Sequence, residues 1–387
     1  MQRNQAWAYL SRCIEGPNRH LQELLGQGRD VEEIAQGVKN REAWVGELLK
    51  VTQSRFTVDS AARDLETIDK LGGRLITPED DEWPRSEFAQ AFGFAASGSS
   101  EHARSVQDDA VPPHALWVRG QRLDSLVAQS VTVVGTRASS SYGAAATRSL
   151  VSGLVSHQWT IVSGGALGID SVAHQTALEA GGRTVVVASC GLDRHYPAAH
   201  THMFEKITHT GALISEYPPG VTPARHRFLT RNRLAAALSA GTVVVEAAWR
   251  SGALNTLTWA EGLGKVTMAV PGPITSMGSL GCHDRIRQGR AQLVVSADEI
   301  RQLVSSVGEV DVDGQYEMLF AKNAVQSLSR NEMRVFDALS EKATPAQQVA
   351  EAAGLTVALT VHLLVDLVKR GLVVRDGAQF RRAELSE

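Results

Sequence analysis

Apolar residues fall at helical spacing over the first seventy positions. Ala6, Tyr9, Leu10 and Ile14 recur in this way, as do Leu21, Leu24 and Leu25, then Val31, Ile34 and Val38. Gly16-Pro17 and Gly26-Gln27-Gly28 separate them into short helices. From Val131 the pattern becomes short continuous apolar runs: Val131–Val134, Thr160–Ser163, Thr184–Ala188, Ala212–Ser215, Thr242–Glu246, Val266–Val270 and Gln292–Val295. Helical stretches such as Tyr142–His157 and Asp170–Ala180 lie between them. Buried strands alternating with helices predict an α/β fold with a doubly wound, mostly parallel, extended Rossmann-like sheet. Near the C-terminus, Asn331–Leu339, Ala346–Ala353 and Val357–Lys369 are helix candidates. Leu372–Arg375 and Gln379–Arg382 flank an Asp376-Gly377 turn. Three helices and a hairpin predict a winged helix.

This gives a helical module at 1–70, a core at 71–304, a linker at 305–326 and a winged helix at 327–387. Gly72–Thr77 opens the core, and order resumes at Pro112–Gly120. Ala95–Asp109, rich in Ser, Ala, Gly and Asp, reads as a mobile surface insertion. The third helix of the last module is mostly apolar outside Lys369-Arg370, which favours a protein contact over DNA reading.

Composition narrows the function classes. The 387 residues are 43% hydrophobic and 21% charged with a net charge of -3, so any basic site must be local. Cys13, Cys190 and Cys282 form no CxxC pair, which suits a reducing cytosol. The start of the chain lacks the apolar core of a signal peptide, and no run spans a bilayer; a cytoplasmic protein with no membrane partner is expected. His195, His200, His202 and His209 have no ligating partners at metal spacing, so no metal is expected. No GxxxxGK[ST] or GxSxG motif occurs, and no cofactor is expected.

The candidate chemistry gathers past the strands. In a parallel sheet the segments Gly135–Arg137, Ser163–Asp170, Gly191–Asp193, Glu216–Pro218, Glu246–Gly252 and Pro271-Gly272 share one edge. In SGGALGID, Gly164, Gly165 and Gly168 allow a tight turn into a helix start. There, with Ser163 and Asp170, the backbone is placed to hold the phosphate of a nucleotide or a nucleic acid. Gly135 and Ser251-Gly252 offer further turns of this kind. Arg225, Arg227, Arg231 and Arg233, with Phe228 and Asn232, form a basic stretch with no acid at the start of a helix. Cations are unfavourable at that end, so a polyanion should offset them. Phe228 is suited to stack on a base. One or two of the arginines should instead pair inside the fold with Glu246 or Asp193.

VVGTR at 133–137, SGGALGIDSVAH at 163–174, CGLDRHYP at 190–197, SEYPPG at 215–220, RFLTRNRLAAALS at 227–239, VVEAAWRSGALNT at 244–256 and AVPGPITSMGSLGCHDRIRQG at 269–289 resemble, in order, the DNA-processing protein A (DprA, or Smf) family. The match covers roughly residues 112–300. The flanking SAM-like helical module and the winged helix also fit it. The resemblance implies a non-enzymatic, cytoplasmic, dimeric protein that binds single-stranded DNA. It would protect incoming strands and help load RecA recombinase in natural transformation. It places Arg137, the glycine turn, Arg225 and Phe228 on the DNA. The sequence departs from the family at Leu167, where many members are basic, and in a longer insertion at Ser86–Asp109. The alternative on such a fold is a phosphoribohydrolase-like nucleotide-processing enzyme with Glu246 and Asp170 as its acids, although its PGGxGTxxE signature is replaced here by VEAAWRSGALNT.

Overall fold

The computed structural model describes residues 1–100, 107–305, 310, 324, 325 and 327–383. They divide into two compact units, Met1–Val310 and Asp311–Glu387. The first is built on a nine-stranded sheet. In chain order its strands are β1 (Gly73–Ile76), β2 (Leu116–Gly120), β3 (Ser130–Val134), β4 (Thr160–Ser163), β5 (Thr184–Val187), β6 (Ala212–Ser215), β7 (Gly241–Val244), β8 (Val266–Ala269) and β9 (Gln292–Leu293). In space the order is β1-β2-β6-β5-β4-β3-β7-β8-β9. Every pair from β6 to β9 in that row is parallel.

β3 to β7 are buried along their whole length, so side chains on both faces meet helices. The chain winds β3-β4-β5-β6 toward one edge, then returns to lay β7 on the other side of β3. The loops diverge at that boundary, which is where an open α/β sheet leaves its ligand crevice. Every expected strand is present, although β9 keeps only Gln292–Leu293. β1 and β2 extend the sheet beyond those expected, antiparallel to each other and with β2 antiparallel to β6.

The N-terminal helices are Arg3–Ile14, Arg19–Gly26 and Val31–Asn40. Asn18 caps the second by accepting the Leu21 N–H (2.8 Å), and Asp30 caps the third by accepting that of Glu32 (2.8 Å). Their buried face does not close on itself. Tyr9, Leu10, Leu21 and Ile34 share one apolar cluster with Trp117 of β2, Val186 of β5 and Leu213 of β6. The Trp117 indole donates to Ser11 Oγ (3.1 Å), which donates in turn to the Glu216 carbonyl (3.3 Å).

The expected insertion is corrected in its first half. Arg85–Ala96 is a helix that buries Phe88, Ala91, Phe92 and Ala95, one face at i, i+3, i+4 and i+7. These residues share a core with Leu234 and Ala235 of the helix Arg225–Ala237. Residues 101–106 lie outside the described residues, as does most of the expected linker at 305–326.

The second unit has its own core, including Val335, Val349, Leu364, Leu372 and Phe380. Its helices are Arg330–Asp337, Ala346–Ala353 and Val357–Lys369. The strand β10 (Thr344–Pro345) pairs with β12 (Gln379–Arg382), which pairs with β11 (Val373–Asp376). Ser329 and Glu332 form a capping box at the first helix. This is the predicted winged helix. Among the described residues no single helix is long and apolar enough to cross a membrane.

Candidate nucleic-acid interface

At the boundary of β3 and β7 opens a cleft of about 770 Å³. Gly135 and Arg137 reach it from the loop after β3, Gly164, Ala166 and Asp170 from the loop after β4, and Arg250, Ser251 and Gly252 from the loop after β7. Arg225, Phe228, Arg231 and Asn232 of the helix Arg225–Ala237 line the opposite wall with Tyr196. The loops after β3, β4 and β7 converge, and later positions of the loops after β5 and β6 add Tyr196 and Pro223. The turns after β5, β6 and β8 that were expected on the same edge contribute none of their expected residues to the lining.

Aromatic and cationic groups meet across the cleft. The Arg137 guanidinium lies 5.4 Å from the centroid of the Phe228 ring, and the Tyr196 ring lies 5.6 Å from that of Phe228 with the two planes at 50°. Arg137, Arg225 and Arg250 are exposed and have no ion pair among the described residues. Arg225 is the first residue of its helix, whose first turn carries no acid. The helix Gly252–Gly262 begins at the cleft, with Ser251 Oγ accepting the Ala253 N–H (3.3 Å) and again no acid in its first turn. Two positive helix ends and three unpaired guanidiniums make a field for an anion.

The glycine turn plays a different part from the one expected. Ser163 is fully buried, its hydroxyl donating to the Val133 carbonyl (2.6 Å), so it is not available to a ligand. Gly165 and Gly168 take φ of +74° and +82°. A side chain at Gly164 would strike Arg231, and one at Gly168 the carbonyl of Thr136. Gly135 is not at a helix start: the helix after β3 begins at Ser141, and Gly135 packs against Ile169. The turn already holds an internal anion. The Asp170 carboxylate accepts the Ala166 N–H (3.3 Å) and those of Gly164 and Gly135. Burial pushes the Asp170 carboxyl up and the neighbouring Arg231 guanidinium down, while their mutual attraction opposes both shifts. Arg231 donates to the Val187 carbonyl, and its Nε has no partner. The turn shapes the floor of the cleft, and the free positive charge stands on its walls.

The basic stretch divides. Arg233 is fully buried and holds Glu216 with both Nη atoms (2.6 Å each), facing away from the cleft. Arg227 pairs with Glu15 and donates to the Thr222 carbonyl. These internal partners replace the expected Glu246 and Asp193. Glu246 Oε2 instead accepts the Ser140 N–H (2.9 Å), and Asp193 accepts that of Gly220 (2.7 Å). Both acids of the enzymatic alternative, Glu246 and Asp170, are therefore tied to backbone N–H groups. Sequence reasoning missed Tyr196 and Arg250 as site residues. Arg250 lies inside the segment collected after β7, and Tyr196 lies a few positions beyond the one collected after β5. Among the described residues no cluster of three histidine, cysteine or acidic side chains is placed to hold a metal.

A family model described as DNA recombination-mediator protein A matches residues 74–305, and one for the IclR helix-turn-helix domain matches residues 332–377. The chain is 44% identical over 376 residues to the DNA processing protein DprA of Mycobacterium tuberculosis, covering 96% of this chain and 92% of that protein. It is 37% identical over 262 residues to the protein Smf of Escherichia coli, covering 67% and 69% of the two. The X-ray structure of DNA processing protein A from Streptococcus pneumoniae superposes with a TM-score of 0.63 at 28% identity, covering 79% of this chain and 99% of that one.

Proposed function

The chain belongs to the DNA recombination-mediator protein A family, and from that premise we propose that its cleft binds single-stranded DNA without reading sequence. The observation that carries this reading is the column of Tyr196, Phe228 and Arg137 beside the unpaired Arg225 and Arg250. The exposed Tyr196 ring and the half-buried Phe228 ring lining the cleft offer stacking surfaces that accept any base, and guanidiniums take the phosphates between bases. A duplex hides its base faces and gains only the second of these contacts.

In this reading Arg137 and Arg225 bind phosphates, Phe228 and Tyr196 stack on bases, and the backbone at Ser251-Gly252 adds a helix N-terminus. Gly135, Gly164, Gly165, Gly168, Asp170 and Arg231 shape the floor, and Asn232 faces the strand. Arg227 and Arg233 hold the helix in place through their carboxylates. The biological role that follows is protection of incoming strands in the cytoplasm and delivery of them to RecA recombinase in natural transformation, by a homodimer.

Fluorescence anisotropy with a labelled oligothymidine tests the binding step. Arg137→Ala and Phe228→Ala should each weaken binding by roughly 5- to 50-fold, on the order of 1–2 kcal/mol. Equal affinity for a duplex of the same length, or unchanged affinity in both variants, would overturn the reading.

A further inference from the structure

The three most exposed large hydrophobic side chains among the described residues are Ile274 at 87%, Met277 at 75% and Trp249 at 57%. Each sits in a hydrogen-bonded turn. Trp249 and Arg250 occupy the tip of one closed by the Ser251 N–H on the Ala248 carbonyl (3.0 Å). Ile274 occupies the tip of one closed by Ser276 on Pro273 (3.0 Å), and Met277 that of the next, closed by Ser279 on Ser276 (3.1 Å).

The two loops leave the neighbouring parallel strands β7 and β8 at the same edge of the sheet. They are tied together where the Gly281 N–H donates to the Ala247 carbonyl (2.8 Å). Gly278 packs so closely on Glu246 that an added Cβ would lie 2.6 Å from Oε1. Turn tips ordinarily carry Gly, Pro, Asn, Asp or Ser, and held turns that offer Trp, Ile and Met to water form an apolar surface in want of a partner.

We propose that this rim is a second part of the DNA track, on which a single strand leaving the cleft lays its next bases on Trp249, Ile274 and Met277. The inference rests on the reading of the cleft as a single-strand site. Three observations choose nucleic acid as the occupant. Arg250, the neighbour of Trp249 in its turn, lines the cleft itself, so rim and cleft are continuous. Glu246, the one acid in the two loops at 245–251 and 270–279, is buried and accepts the Ser140 N–H, so no exposed acid in either loop repels phosphate. The apolar groups stand on separate turn tips, one of them shared with the cation Arg250, which suits base faces alternating with phosphates.

Length dependence tests it in the full chain. A strand of about four nucleotides fills the cleft, and one of about twenty also covers the rim. Trp249→Ala should weaken the long strand by roughly 5- to 50-fold and the short one by less than about twofold, and Met277→Ser should act in the same direction. Trp249→Phe should recover most of the loss. In the unsubstituted protein, the long strand should shield tryptophan fluorescence from iodide more than the short strand does.

Unchanged long-strand affinity in both variants, while Arg137→Ala weakens both lengths, would overturn the rim and leave the cleft standing. Equal losses on both strand lengths would also overturn it. So would a changed oligomeric state in size-exclusion chromatography with DNA affinity intact, which would assign the face to a protein contact. No effect of Arg137→Ala on either strand would remove the cleft reading and this inference with it.

Discussion

At the scale of single residues, one stretch of arginines serves two ends. Arg225 is free at the cleft while Arg233, eight positions on, is sealed with Glu216. The sequence shows four similar cations, and their divergence depends on which side of the helix meets the sheet. That side is fixed by distant residues: Glu216 follows β6, and Glu15, the partner of Arg227, follows the first helix. The expectation of one or two internal pairs held in number but not in partners, because no local pattern encodes a contact between positions 15 and 227. Burial has a second consequence at His114 and His174. Both are fully enclosed, and desolvation lowers them to about 4 and about 3. A group depressed in the folded state stabilises above its unfolded value of about 6.5 and loses that contribution as pH falls toward its folded value. The protein should therefore lose stability below about pH 6.5, by on the order of 3 kcal/mol from His114 alone by pH 4. Chemical denaturation across that range measures the slope. His114→Leu should flatten it, and an identical slope in that variant would remove His114 as its source.

At the scale of elements, the strands were legible because each is a continuous apolar run. Their common edge followed from parallel order. The helix Arg85–Ala96 was harder to see: its apolar face has helical spacing, but Gly93 and the polar stretch after it resemble an insertion. The role of the glycine turn could not be read locally either. Asp170 is placed by the sequence at a helix start, yet only the fold shows that its carboxylate takes up the N–H groups of the turn. Gly168 and Gly181, two of the left-handed glycines of this region, separate strain from positioning. Gly168, at φ +82°, presses on the carbonyls of Thr136 and Arg137, whereas Gly181, at φ +71°, faces open space. Alanine at either should cost about 1–3 kcal/mol from backbone strain, read as a lowered Tm. Only Gly168→Ala moves the loop that carries Arg137, so only it should also weaken oligothymidine binding. Equal DNA affinity in the two variants would show that the turn does not position Arg137.

At the scale of the whole molecule, charge decides what each unit contributes. The net charge of -3 conceals a cleft in which Arg137, Arg225 and Arg250 stand without acidic partners. On the winged helix the exposed side of Val357–Lys369 carries Val357, Leu359, Val361 and Val365, and Arg370 is paired with Glu332 at 2.7 Å. Its core is separate from that of the first unit, so residues 1–305 should fold without it. Single-strand binding releases counterions in proportion to the phosphates neutralised, with a slope of about -0.7 per contact in log K against log salt. Three free guanidiniums predict a slope of about -2, a loss of roughly 100-fold in affinity for a tenfold rise in salt. Arg225→Ala should bring that slope up by about 0.7, and removal of the winged helix should leave it unchanged. A titration of labelled oligothymidine at several salt concentrations, run on the full chain, the variant and residues 1–305, measures all three. A slope that became shallower on losing the winged helix would place phosphate contacts on the second unit, against the apolar face it presents.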